Sequence, residues 1–260
     1  MARTVAETAL LFSVQAGPDP VDPLTLAEPG HTFLDALVAP ADLQGWRIAY
    51  SPGLHDLPIA PEVAAVIARA ADTIADLGAS VSHSAPDLSR AMDVFQVQRA
   101  AALANLGRTL DQSLPEWKTH AKDTAIWNIE KGQALSAAEL LESELTRSQI
   151  YADVVKFFAE YDALILPAAQ VAPFANELDW VREINGQAMP TYIDWMTICC
   201  AITVTGLPAI SVPAGFTSDG LPVGLQIVGK PRSDLQVLQL AHAFEQATEF
   251  HRQVPAICAA

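Results

Sequence analysis

Thr205-Gly206-Leu207-Pro208-Ala209-Ile210-Ser211-Val212-Pro213-Ala214-Gly215-Phe216, continued through Asp219-Gly220-Leu221-Pro222-Val223-Gly224-Leu225-Gln226-Ile227-Val228-Gly229, is the stretch on which the fold turns. Two apolar runs flank an Asp-Gly turn signal, which predicts a β-hairpin. Val223, Leu225 and Ile227 alternate with Gly224 and Gln226, the period of a strand with two unlike faces. Gly and Pro are dense for strands, which points to a bulge or a close backbone approach.

Outward from the hairpin, Tyr161-Asp162-Ala163-Leu164-Ile165-Leu166-Pro167 is a short apolar run closed by Pro. Without alternation, it suits a strand covered on both faces, as in a parallel sheet between helices. Gly45–Tyr50 reads as a strand, and Pro61-Glu62 opens a helix in the positions those residues favour. Val63, Val66, Ile67, Ala70, Ile74 and Leu77 mark the buried face of that helix. Gly78 ends it, and Ala79-Ser80-Val81 begins another strand. Strand, helix, strand with tight connections is a βαβ unit, which crosses over onto a parallel sheet. The fold class is therefore α/β: a mixed, largely parallel sheet with helices on both faces.

The remaining segments read as helices. Residues 2–16 carry Val5, Ala9, Phe12 and Ala16 at helical spacing, with Arg3 and Glu7 placed for an i, i+4 ion pair and Gly17-Pro18 as a stop. Residues 88–160 are mostly helical, with a capping box at Ser136-x-x-Glu139. Pro190–Val204 carries Tyr192, Trp195, Met196, Cys199 and Thr203 along one side. Ser233-x-x-Gln236 predicts a second capping box, opening a helix through Gln246, and the tail after Phe250 is read as a loose end.

The 260 residues, 51% hydrophobic, suit one large domain or at most two. A net charge of -15 repels phosphate backbones and argues against nucleic-acid binding. No apolar run reaches the ~20 residues of a membrane span, and the start lacks a signal-peptide layout. The expectation is a cytoplasmic protein with no membrane partner. Cys199, Cys200 and Cys258 form no Cys-x-x-Cys pair, and the six histidines are scattered. Free thiols are expected, and neither a metal nor a cofactor is implied. The absence of Gly-x-Gly-x-x-Gly excludes a dinucleotide fingerprint.

The hairpin block resembles the C-terminal hallmark of the amidase signature family, the Ser-Ser-Lys amide hydrolases. Residues 2–23, including Ala16-Gly17-Pro18-Asp19-Pro20-Val21-Asp22-Pro23, and residues 45–81 carry the same resemblance. The resemblance implies that residues 1–260 are the C-terminal part of a single amidase signature domain whose N-terminal part is not encoded here. Met1 matches an internal Met of the family pattern, as in a truncated or split reading frame. Departures are Glu7, where the family has Asp, and Ala168-Ala169-Gln170, where it continues with Thr and Pro.

Amide hydrolysis needs a nucleophile, an acceptor for its proton and donors for the developing oxyanion. The family supplies a Ser, a second Ser and a Lys. This chain has no Ser-Ser and no Gly-Gly pair, and none of its lysines (Lys118, Lys122, Lys131, Lys156, Lys230) precedes a Gly/Ser-rich segment. No catalytic residue is carried over. Ser211 lacks the Gly-x-Ser-x-Gly elbow, His83 and His242 pair with no nucleophile by spacing, and Cys199 and Cys200 read as buried thiols. Three residues remain as substrate-binding candidates. Asp194 and Trp195 border the pocket in the family, or are a helix-start Asp beside a core Trp. Gln226 meets polar groups inside the fold or serves structure alone.

Three readings follow. The first is the C-terminal segment of a carboxamide-cleaving amidase, supplying scaffold and pocket wall and inactive alone. The second is a half-enzyme acting on a small amide once an N-terminal polypeptide completes it in trans. The third is a non-catalytic binding protein.

Overall fold

The computed structural model describes residues 1–253, so Cys258 lies outside the described residues. Two compact units are formed: Met1–Pro86 with Val155–Cys199 and the described residues from Leu207 on, and Asp87–Val154 with Cys200–Gly206.

The first unit holds a five-stranded sheet of β1 (Arg47–Tyr50), β2 (Ser80–His83), β3 (Ala163–Pro167), β6 (Ala209–Phe216) and β7 (Pro222–Gly229), in the order β2-β1-β3-β7-β6. β1 pairs in parallel with β2 and β3, while β7 is antiparallel to both β3 and β6. β6 therefore runs in the same direction as β1, β2 and β3, and β7 alone is reversed. This is the mixed, largely parallel sheet expected. β3 is buried along its length, as an apolar run without alternation requires.

α3 (Pro61–Asp76) packs against β2, β3, β6 and β7, and α8 (Asp234–Thr248) against β6 and β7. α3 buries Val63, Val66, Ile67, Ala70 and Ile74, five of the six positions its periodicity selects, while Leu77 at its end stays half-buried. α1 (Val5–Gln15) lies against α2 (His31–Asp35) and α8, and Val5 N–H donates to Glu245 Oε1 at 2.8 Å. α1 opens on a capping box, Thr4 with Glu7. The Glu7 carboxylate accepts the Arg3 and Thr4 N–H groups at 2.9 and 3.2 Å, and this local use takes the place of the expected ion pair with the Arg3 side chain.

The hairpin forms where the sequence places it. Thr217 N–H donates to Leu221 O at 2.9 Å, and Gly220, with φ +80°, turns the chain. A register shift between Pro213 and Gly215 is the bulge that the Gly and Pro density anticipates.

Two expected elements differ. The segment predicted as a helix from Pro190 begins as a 3-10 turn at Asp194–Met196, followed by α7 (Thr197–Thr205). Asp194 Oδ2 accepts the Thr191 N–H at 2.6 Å and the Thr191 hydroxyl at 2.8 Å, and this local bonding holds residues 191–194 outside a helix. Ser233 precedes α8 without a capping bond, because its hydroxyl donates to Lys230 O at 2.7 Å.

The second unit contains α4 (Ala91–Ser113), α5 (Asp123–Gln133) and most of α6 (Ala137–Phe157). α4 and α5 approach closely at Gly132, where a Cβ would fall on the Ala100 carbonyl. The expected capping box opens α6: Ser136 N–H donates to Glu139 Oε2 at 2.8 Å, and Glu139 N–H donates to Ser136 Oγ at 3.2 Å.

Candidate functional site

The parallel strands β1 and β3 end side by side, and the carboxyl ends of strands are where open α/β sheets bind ligands. After β1 the chain turns sharply. Ser51 N–H donates to Ile165 O at 3.0 Å, and Ser51 Oγ accepts the Leu54 N–H at 2.9 Å. Leu54 and His55 take φ of 48° and 74°, a region that non-glycine residues occupy only when their surroundings hold them there.

What holds this loop is Gln170, 0% exposed, three residues past the end of β3. Its Nε2 donates to Pro58 O at 3.2 Å, its backbone carbonyl accepts the Ala60 N–H at 2.8 Å, and its Oε1 accepts the Ile198 N–H at 3.2 Å. One residue thus joins the β1 loop, the start of α3 and the start of α7. A second tie comes from the short hairpin β4 (Glu183–Ile184) and β5 (Gln187–Ala188), whose Asn185 Nδ2 donates to Ile59 O at 2.6 Å. Asn185 and Gly186 have φ of 51° and 78°, the conformation a two-residue hairpin turn requires.

The sequence candidates fall at this end of the sheet. Trp195 is three residues before Ile198 and meets Phe174 edge to face, 5.2 Å between ring centroids. Asp194 closes the Thr191 turn. Gln226 sits on β7 opposite Leu166, the penultimate residue of β3, and opposite Ser211 on β6. Its Oε1 is buried and has no hydrogen-bond partner among the described residues. Gln226 forms no hydrogen bond with Asp194 or Trp195 among the described residues.

The sheet register gives Gln226 its setting. Ala49, Leu164, Leu166, Val228, Gln226, Ala209, Ser211 and Pro213 lie on one face. Ala49, Leu164, Leu166 and Val228 are buried, Gln226 is half-buried, and Ala209, Ser211 and Pro213 are exposed. On the opposite face Ile48, Ile165, Leu225 and Ile227 are all fully buried. The hairpin is packed on one side and open on the other.

The other side chains weighed as chemical groups have structural settings. His83 is exposed and packs on Tyr50, 4.8 Å between ring centroids. His242 is buried, with Nδ1 3.9 Å from Glu245 Oε2. Lys118 pairs with Glu130 at 2.9 Å and Lys230 with Asp162 at 2.8 Å. Burial alone would raise the Asp162 carboxyl, but the Lys230 ammonium and the Arg47 N–H outweigh it and hold the group below the usual carboxylate range. Cys200 is buried, and Cys199 Sγ donates to Met196 O at 3.0 Å.

Gln170, Ser51 and the Asn185 hairpin are the parts sequence reasoning passed over. Ile184-Asn185-Gly186-Gln187 carried the strongest short-range hairpin signal and could have been found. A buried Gln whose partners are backbone atoms about 110 and 30 residues away leaves no periodic trace.

The family model described as Amidase matches residues 1–238. An acylamidase of Rhodococcus erythropolis is 28% identical over 260 residues, covering 98% of this chain and 53% of that protein. The A-type subunit of the glutamyl-tRNA(Gln) amidotransferase of Marinobacter nauticus is 32% identical, covering 98% of this chain and 55% of that protein. The crystal structure of a bacterial aryl acylamidase of the amidase signature family superposes with a TM-score of 0.85 at 25% identity, over 96% of this chain and 52% of the other. The chain spans about half the length of the relatives it matches.

Proposed function

The chain belongs to the amidase family, and from that premise we propose that it is the C-terminal segment of a carbon–nitrogen hydrolase. In this reading it builds the sheet and one wall of a site for a small carboxamide, with Asp194, Trp195 and Gln226 on that wall. The bond-breaking groups come from elsewhere, because no Ser-Ser pair and no suitably placed Lys occur in the sequence. The observation that carries the reading is the open face of the hairpin, where Ser211 is exposed beside a buried Gln226 Oε1 without a partner. A buried acceptor left unpaired costs about 1–3 kcal/mol, so a donor is expected to meet it in the working protein.

That same open face favours completion in trans, by an N-terminal polypeptide bringing the nucleophile, the base and the oxyanion donors, over a free-standing binding protein. The purified chain is treated with a fluorophosphonate probe, alone and after co-expression with the N-terminal half of a related amidase. The expected result is no labelled serine in the chain alone and a labelled serine in the added half. A labelled serine in this chain, with carboxamide turnover abolished by its replacement, overturns the reading.

A further inference from the structure

A second concavity lies between α3, the end of β6 and the end of α8, within the first unit. It is a half-open groove of about 430 Å³ lined by Arg69, Thr73, Phe216, Thr248 and Phe250, with small residues between them and the buried Phe244 beneath. That volume is in the range of small-molecule sites and far exceeds the gap left by one missing side chain. Phe244 is fully buried, while Phe216 and Phe250 are half-buried and meet edge to face with centroids 6.2 Å apart. The space exists because β6 bulges just before Gly215, which has φ +128°; a Cβ there would stand 3.3 Å from Phe250 Cζ.

The polar groups are asymmetric. The Thr73 hydroxyl donates to Arg69 O at 3.0 Å and the Thr248 hydroxyl to Phe244 O at 2.9 Å, so each has given its proton to its own helix and offers only an acceptor. The Arg69 guanidinium has no ion pair or hydrogen bond among the described residues, and it is the one charged donor on the rim. An aromatic-walled cavity with a single unpaired guanidinium matches a flat ring carrying a carboxylate. Such a ring would lie against the half-buried Phe216 and Phe250, and its carboxylate would take the two parallel N–H donors of the arginine.

We propose that this cavity is a binding site for a small arylcarboxylate, distinct from the wall that carries Gln226. The test is a titration of the chain with phenylacetate, 2-phenylethanol and phenethylamine, followed by backbone amide NMR. Phenylacetate is expected to shift the Thr73, Gly215, Phe216 and Thr248 amides saturably. The neutral alcohol should bind at least about tenfold more weakly, and the amine not at all. R69Q, an exposed position that leaves the remaining spectrum unchanged, should weaken phenylacetate by at least about tenfold while leaving the alcohol unaffected. F250A should weaken both. The proposal is overturned if phenylacetate produces no saturable shifts at these amides, or if R69Q binds it as tightly as the parent. Neither outcome bears on whether the chain is part of a hydrolase, since fluorophosphonate labelling reads another surface.

Discussion

Gln170 shows how much a single buried amide can organise. Its side chain and backbone carbonyl satisfy three backbone groups drawn from three segments, with the Ile198 end fully buried and the Pro58 end partly so. Q170L keeps the bulk but strands the Pro58 carbonyl and the Ile198 N–H. The expected loss is about 1–3 kcal/mol in chemical unfolding, mostly from the buried Ile198 N–H left unpaired. Because Gln170 pins Pro58 and Ala60 at the far end of the loop that carries Leu54 and His55, exchange of those two amides should speed up more in Q170L than exchange in the core of β3. Equal acceleration in both places would mean that Gln170 stabilises the fold globally without positioning the loop. Gln226 differs in kind: its Oε1 has no partner to lose, so Q226L should cost little or even stabilise the isolated chain. A loss above about 2 kcal/mol would show that Gln226 is already engaged in the fold.

Between elements, the ties are few and specific. Asp162 gathers three strands at one end of the sheet: Oδ2 accepts the Arg47 N–H of β1 at 2.8 Å, and Oδ1 takes the Lys230 ammonium just past β7 at 2.8 Å. The pair is about one-third exposed, so D162N should cost only about 0.5–1 kcal/mol near neutral pH after solvent screening. The sign with pH follows from the depressed carboxyl. Its contribution is fully present above the unfolded pKa of about 4 and is lost as pH falls through the lower folded value. The stability difference between parent and D162N, from urea unfolding, should therefore hold from pH 7 to 5 and shrink below about pH 4. In the second unit the tie is steric. G132A drives a methyl into the Ala100 carbonyl and should separate α4 from α5, at about 1–3 kcal/mol in thermal unfolding. At this scale the sequence was most legible where burial repeats: the five buried positions of α3, the unalternating β3 and the Asp-Gly hairpin all show as local periodicity or turn chemistry. The capping bond at Ser233 and the helix start at Pro190 differ from expectation for a shared reason. A short polar side chain near a helix start has several backbone groups within reach, and pattern cannot say which it takes. For the proposed wall, the sequence supplies Asp194, Trp195 and Gln226 as candidates. The amides that fix its loops were not legible there, because their partners are remote in sequence.

Across the molecule, composition and exposed surface pull in opposite directions. A net charge of -15 keeps copies apart, while α1 exposes Leu10, Leu11 and Val14, and β6 presents an unpaired edge. Natural sheets protect their edges with charge or cover; β6 carries Ala209, Ser211 and Pro213 there, none of them charged. Under the proposed completion in trans, this is the surface the second polypeptide would cover, and it can be tested separately from α1. S211K adds a charge at an exposed position that makes no hydrogen bond among the described residues, so the melting temperature should stay within about 2 °C of the parent, as for a surface change. Co-expressed with the N-terminal half of a related amidase, S211K should recover far less labelled complex than the parent, by about tenfold if a desolvated lysine opposes docking. L11E/V14E places its charges on α1 instead. It should reduce self-association in sedimentation velocity while leaving complex recovery unchanged. If S211K assembles as well as the parent, or if the α1 variant is the one that fails, the completing surface lies on the helix and not on the strand.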